Sequence, residues 1–149
     1  MHDFSVYSWT LLASTALALL LARFAWRRRH APAGYAFFWL EAAIASWAFA
    51  CAFEAAATTV SLKLFWSQAA YPGTTTVPAL YLVMCLGVAY PERRPGRGRL
   101  ALLFAFPAFT CLLAFTNPAH EWIWTGIDIQ PQTGLAVYGH GPWWWLLFA

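Results

Sequence analysis

The sequence predicts an all-α protein, a polytopic membrane helix bundle with four complete transmembrane helices and the start of a fifth. Three observations carry that expectation. The 149 residues are 61% hydrophobic and only 10% charged, where a soluble domain carries about 25% charged residues. Apolar runs of about twenty residues, the length that crosses a bilayer as a helix, recur between short polar breaks. Eight of the ten tryptophans, Trp9, Trp26, Trp66, Trp122, Trp124 and Trp143–Trp145, gather near the ends of those runs, where an apolar ring with one N–H donor suits the headgroup layer.

The first span is expected at Phe4–Phe24, roughly 31 Å at helical rise, enough for the hydrocarbon core. Its basic residues follow the apolar run, so it reads as a retained helix and not as a cleaved signal. The second, Tyr35–Ala57, contains Glu41 and Glu54. In the third, Pro72-Gly73 is expected to break the helix. That places a membrane core at Thr75–Tyr90 and makes Leu62–Ala70 an interfacial or re-entrant approach. The fourth, Leu100–Thr116, is near the short limit for a span, with Pro107 as a kink. A fifth opens at Trp143, after a turn at Gly139, Gly141 and Pro142, with proline suited to a first helical turn. Trp143–Ala149 amounts to roughly 10 Å of helix, so the end reads as a cut through the fifth helix of a larger protein.

Eight of the nine basic residues sit in two clusters, Arg23 with Arg27–Arg29 and Arg93, Arg94, Arg97 and Arg99. They follow the first and third spans. Clustered arginine between apolar runs marks the cytoplasmic side, so the N-terminus is expected outside and the fifth helix running inward. Neither cluster has the folded basic surface that nucleic-acid recognition needs; nucleic acid is not an expected partner. Ser14, Ala18 and Ala22, and Ala48, Ala52 and Ala56, repeat every four residues. Such spacing lets helices approach closely. Cys51, Cys85 and Cys111 fall inside apolar runs with no CxxC pattern, as packed thiols do.

An ionisable group inside a span is a functional candidate by default. Glu41 lies near the N-terminal end of the second helix, where the dipole favours an acid, and an ion pair with the arginines is expected. Glu54 lies near the C-terminal end, where the dipole disfavours it, so it needs a partner or water. The connection before the fifth span offers Asn117, His120, Glu121, Asp128 and His140. Asn117-Pro118 is expected to end the fourth helix and His120 to bond locally. The spacing of His120 and His140 matches no compact metal motif. No span pairs histidines for haem, the single lysine, Lys63, lies outside a span core, and there is no Walker loop, nucleophile elbow or HExxH. No metal and no cofactor is implied, and nothing resembles a catalytic centre.

Phe53-Glu54, the stretch Lys63–Tyr90 with "KLFW", "YPG" and "VPALYLVMCLGVAY", Phe104–Trp124 with "TNPAH", and "VYGHGPWWWL" at Val137–Leu146 together resemble the seven-transmembrane N-terminal region of bacterial sensor histidine kinases. The resemblance implies seven helices, an outward N-terminus, and a cytoplasmic C-terminus feeding a kinase or another signalling module. It places Glu54, Asn117, His120 and Gly139–Pro142 on recurrent family motifs; Tyr71, Pro72 and Gly73 fall in the "YPG" segment, and Tyr71 joins Glu54, Asn117, His120 and His140 as a candidate for ligand or signal sensing. The chain has no phosphoacceptor region and no nucleotide-binding glycine boxes. The expected function is therefore a sensory input module of the bacterial inner membrane, relaying an outer or intramembrane stimulus by helix rearrangement. Its partners would be the bilayer, the remaining transmembrane helices and a cytoplasmic effector domain of the same polypeptide; a homodimer is compatible with it. Two other readings stay open: a small carrier or channel subunit using Glu54, and a metal enzyme built on His120, Glu121 and His140.

Overall fold

A computed structural model describes residues 4–92, 95–130 and 134–148. Arg93 and Arg94 of the second arginine cluster lie outside the described residues. Four long helices, α1 (Val6–Arg27), α2 (Gly34–Ala56), α3 (Val60–Ala89) and α4 (Arg97–Thr116), precede a short 3-10 turn at Asn117–Ala119. An antiparallel strand pair, β1 (Trp124–Ile129) and β2 (Ala136–His140), follows, and then α5 (Pro142–Phe148). The four long helices are each long and apolar enough to cross a membrane. The bundle therefore has a hairpin end, with the strand pair and the α2–α3 turn, and an arginine end, with the α1–α2 and α3–α4 connections.

Each helix boundary has a local cause. The Ser5 hydroxyl accepts from Ser8 N at the start of α1, and Thr59 caps α3 the same way through Leu62 N; both satisfy an N–H that the helix leaves free. At the other end, Ala33 takes a left-handed conformation (φ 59°) ahead of Gly34. A Cβ on Gly34 would lie 2.4 Å from the Arg28 carbonyl oxygen, so the tight reversal between α1 and α2 requires glycine there.

Small residues set the helix spacing. Ala18, Ala22 and Ala25 of α1 and Ala45, Ala48, Ala52 and Ala56 of α2 are buried, while bulky side chains such as Leu17, Leu20 and Trp39 face outward. With lipid outside, close backbone approach and dispersion do the work that the hydrophobic effect does in water. Ser14, expected on this stripe, is exposed, and Thr15 takes the inward position. One residue of helical rotation separates them, and the Ser14 hydroxyl bonds back to Thr10 O instead.

The break expected at Pro72-Gly73 is absent. α3 runs unbroken through Pro72 and Pro78, so the re-entrant approach at Leu62–Ala70 is ordinary helix. The Thr75 hydroxyl donates to Tyr71 O (2.7 Å), and that of Thr76 to Pro72 O and Gly73 O (2.6 and 3.1 Å). Those hydroxyls add second donors to carbonyls of the turn after Pro72. The carbonyl that Pro72 itself deprives of an N–H is that of Gln68, one turn earlier, and membrane helices tolerate such a site where neighbouring helices pack around it. Gly73 has a packing role and no turn role. A Cβ there would meet Ala43 O at 2.6 Å and the Ser46 and Trp47 side chains. It is the point where α2 and α3 cross. Gly87 repeats the device nearer the arginine end, against Ala33.

The connection read from sequence as a polar loop is a hairpin. Its register pairs Ile127 with Tyr138 and Asp128 with Val137, with an irregularity between Trp124 and Gly126. Gly139, expected in the turn before α5, is a strand residue; Gly141 makes the turn. A Cβ on Gly141 would overlap the Glu121 and Trp122 carbonyl oxygens at 2.4 and 2.3 Å, and its N–H donates to Ile123 O.

Candidate functional site

The α2–α3 turn is short, so Lys63 in the first turn of α3 lies against Glu54 in the last turn of α2. Lys63 is fully buried. Its Nζ donates to the Glu54 carbonyl oxygen at 3.0 Å and stands 3.9 Å from Glu54 Oε1. A carboxylate at the C-terminal end of a helix and a buried ammonium are each unfavourable alone; side by side each removes the other's cost. The amine also takes up a terminal helix carbonyl, as cations at helix ends do.

Tyr138, reaching in from β2, donates its hydroxyl to the same Oε1 at 2.9 Å. Because that proton goes to the carboxylate, the contact between Ser67 Oγ and Tyr138 Oη has serine as donor. The result is a directed chain, Ser67 to Tyr138 to Glu54, with Lys63 meeting it from the other side. Burial, together with the Glu54 carboxylate, pushes the Tyr138 phenol well above its ordinary value, so the ring stays protonated and remains a donor. Three segments, α2, α3 and the hairpin, meet at one carboxylate.

Beneath the hairpin lies a compact core of Leu113, Ala114, Ile123 and Trp124, with Leu64, Tyr71, Tyr138 and Trp143 packed on it. Tyr71 meets Trp124 edge-on, ring centroids 5.1 Å apart. Asn117 holds this core to α4: its Oδ1 accepts from Ile123 N and Trp124 N (2.9 and 3.1 Å), and its Nδ2 donates to Trp124 O (2.9 Å). A buried amide satisfied by three backbone groups is a staple. Gln68 donates to Ala114 O, and Trp143 Nε1 to Thr110 Oγ1, tying α3 and α5 to α4. Trp124 and Trp143 are thus packing residues and not members of an interfacial belt, whereas Trp9, Trp26, Trp122 and Trp145 are exposed.

His120 bonds locally. Its Nδ1 accepts from Trp122 N (3.0 Å) and its Nε2 lies 3.1 Å from Thr116 Oγ1. The Thr116 proton goes to Leu112 O, so the Nε2 position carries the ring hydrogen. His140 is exposed and stacks on Trp144, centroids 3.6 Å apart. No group of three or more His, Cys, Asp or Glu side chains converges in metal-binding geometry among the described residues. Pro118 lies in the 3-10 turn that ends α4. At the arginine end Glu41 is buried and forms no ion pair with an arginine among the described residues, where the one pair is Lys63–Glu54. Arg28 and Arg29 instead fold back on residues of α1, Arg28 over the Phe24 ring and Arg29 onto Trp26.

Glu54, Ser67, Tyr71 and Tyr138 line one end of a cavity of about 1210 Å³ between α2, α3 and α4. Its walls are mostly apolar, with Thr74, Thr75 and Cys51 as further polar groups and Arg99 at the opposite end. Of the sequence candidates, the fold brings Glu54 and Tyr71 to this cavity, sets Asn117 beneath it as a staple, and leaves His120 and His140 on the hairpin's outer side. Lys63, Ser67 and Tyr138 were missed. The available signal was the only lysine in the chain nine residues after a span-embedded glutamate, across a turn of three residues.

Four membrane-length helices with polar residues gathered under a hairpin at one end mark a multi-pass membrane protein. The family model for the N-terminal 7TM region of histidine kinase matches residues 10–149. The chain belongs to that family, and the region is a sensory input module. No curated protein and no solved structure matches the chain.

Proposed function

We propose that the chain senses an outer or intramembrane stimulus through the Glu54 cluster and passes it by helix rearrangement to a cytoplasmic effector of the same polypeptide, a histidine kinase or another signalling module. In this reading the hairpin end faces outward in the bacterial inner membrane and the arginine end faces the cytoplasm, the orientation that the charge clusters favour. The remaining helices of the family's seven complete the bundle. The observation that carries the reading is the bond from Tyr138 to Glu54. Tyr138 lies four residues before α5 begins at Pro142, so whatever displaces the hairpin also shifts α5 against α2 and α3. Packed helices switch between discrete arrangements, which suits them to relay such a shift.

The test is autophosphorylation of the full-length protein in native membrane vesicles. Tyr138→Phe keeps the ring and removes the donor; Glu54→Gln removes the charge. Both are expected to shift basal output by about threefold or more, since a coupling of about 1 kcal/mol is ample for that. Unchanged output in both variants would overturn the role of the cluster. The carrier or channel reading draws on the same glutamate lining a cavity, and flux through proteoliposomes that depends on Glu54 would favour it; membership of a sensory family favours the first reading.

A further inference from the structure

A second cavity, of about 1170 Å³, opens at the arginine end between α2, α3 and the start of α4. Its mouth holds Arg29, His30, Tyr35 and Tyr90, and its depth runs along Ala36–Ser46 of α2 and Gly87–Pro72 of α3. The two helices are antiparallel there, since Ala33 faces Gly87 and Ala43 faces Gly73. From Ala36 to Ser46 the groove is roughly 15 Å long at helical rise, about half of a hydrocarbon core of about 30 Å. It is one leaflet deep. The hydroxyls at its far end, Ser46 and Thr76, bond to carbonyls of their own helices, so that end offers no free donor to a polar ligand.

The mouth is different in kind. Arg29 is half-buried, with its guanidinium stacked 4.7 Å from the Trp26 ring centre and Nη1 bonded to Trp26 O. Its other N–H groups have no protein acceptor among the described residues, and no ion pair engages it. The sequence of the two connections at this end and the helix ends flanking them, Arg27–Arg29 and Glu92–Arg99, holds seven arginines against one acid, Glu92. A slot one leaflet deep, apolar along its length and cationic at its mouth, fits a phospholipid with an anionic headgroup.

We propose that this groove binds one anionic phospholipid, its acyl chain against Ala36, Ala43, Leu80 and Val83 and its phosphate at Arg29. Basic pockets between helices recognise acidic headgroups by this combination of charge and depth. The site is separate from the Glu54 cluster, and the inference does not depend on the sensor reading or on which face is cytoplasmic.

The experiment is native mass spectrometry of the full-length protein in detergent, titrated with phosphatidylglycerol or with phosphatidylcholine of the same chains. One retained phosphatidylglycerol is expected, preferred over phosphatidylcholine by about tenfold. Arg29→Gln should reduce that preference at least to about a third, and Arg29→Lys should keep most of it because the charge remains. Leu80→Trp, which narrows the groove, should lower retention of both lipids. Arg23→Gln lies outside the cavity lining and should leave the preference unchanged. An equal loss in Arg23→Gln and Arg29→Gln would show diffuse surface charge alone and overturn the site. So would displacement of the lipid by millimolar glycerol phosphate, which would mean a headgroup pocket without an acyl slot. Absence of any retained lipid would show the groove filled by other helices of the chain, and would also overturn it.

Discussion

At the hairpin end, polar side chains bond across segments: Tyr138 to Glu54, Lys63 back to α2, Gln68 to α4, Asn117 to β1. At the arginine end they bond within a turn of themselves, as Arg29 does with Trp26 O, or stack on a neighbouring ring, as Arg28 does on Phe24. Both ends are polar, yet among the described residues only the first is stitched. A buried polar group costs several kcal/mol unless satisfied, so it must be placed and partnered; an interfacial arginine keeps its head in water or headgroups and needs no partner. The hairpin end therefore carries positional information that a substitution can erase. The arginine end carries charge, which tolerates rearrangement.

The largest expected effect breaks the stitched end at its centre. Lys63→Met leaves Glu54 without its cation, and Glu54→Leu leaves a buried ammonium holding only a carbonyl. Each should cost about 3 to 5 kcal/mol, as removal of one partner of a buried pair does. The double substitution should cost clearly less than the two losses added together, because neither charge is then left behind. Reversible unfolding in mixed micelles would measure all three, and simple additivity would show that the two side chains do not act as a pair.

Asn117→Ala comes next. It strips acceptors from Ile123 N and Trp124 N and a donor from Trp124 O, all at the buried foot of the hairpin. A loss of about 3 kcal/mol follows from roughly 1 kcal/mol or more for each group left unsatisfied. Hydrogen exchange should quicken at Ile123 and Trp124 first. Exchange unchanged there while global stability falls would mean that the amide does not hold this segment.

Gly73→Val tests the crossing of α2 and α3, midway between the two ends. With Ala43 O at 2.6 Å from the added Cβ, the helices must separate, at a cost of about 2 kcal/mol typical of overpacking. Cysteine crosslinking between α2 and α3 should report the wider spacing. Unaltered crosslinking would show that the contact yields without cost.

The same contrast explains how much of the molecule could be read from its sequence. Helices, their apolar faces and the arginine clusters are written in composition and period, which need no tertiary knowledge. The hairpin was available as well: Trp124–Ile129 and Ala136–His140 flank a Gln-Pro-Gln-Thr-Gly stretch with turn chemistry, but six- and five-residue strands are faint beside spans of twenty. Lys63 was hidden by a rule about spans, because a lysine outside a span core looks solvated until the turn folds it under Glu54. Pro72-Gly73 misled for the opposite reason. A signal that breaks helices in water is tolerated in α3, which packs on α2 through the close approach that glycine permits. What could not be read was always a contact between segments.

The smallest effect belongs to the arginine end, and it is the one that would most directly undo the contrast. Arg28 lies exposed with its guanidinium 5.0 Å from the Phe24 ring centre, a cation–π contact worth about 0.5 to 1 kcal/mol at an exposed site. Arg28→Gln should therefore lower unfolding stability by less than about 1 kcal/mol, and only at low salt should the change be easy to resolve, since exposed charges are screened within a Debye length of about 10 Å at 0.1 M. A loss comparable to that of Lys63→Met would mean that Arg28 holds a buried partner, with Glu41 on α2 as the first to test. The arginine end would then be stitched as well, and the expectation of an ion pair for Glu41 would return with a named cation.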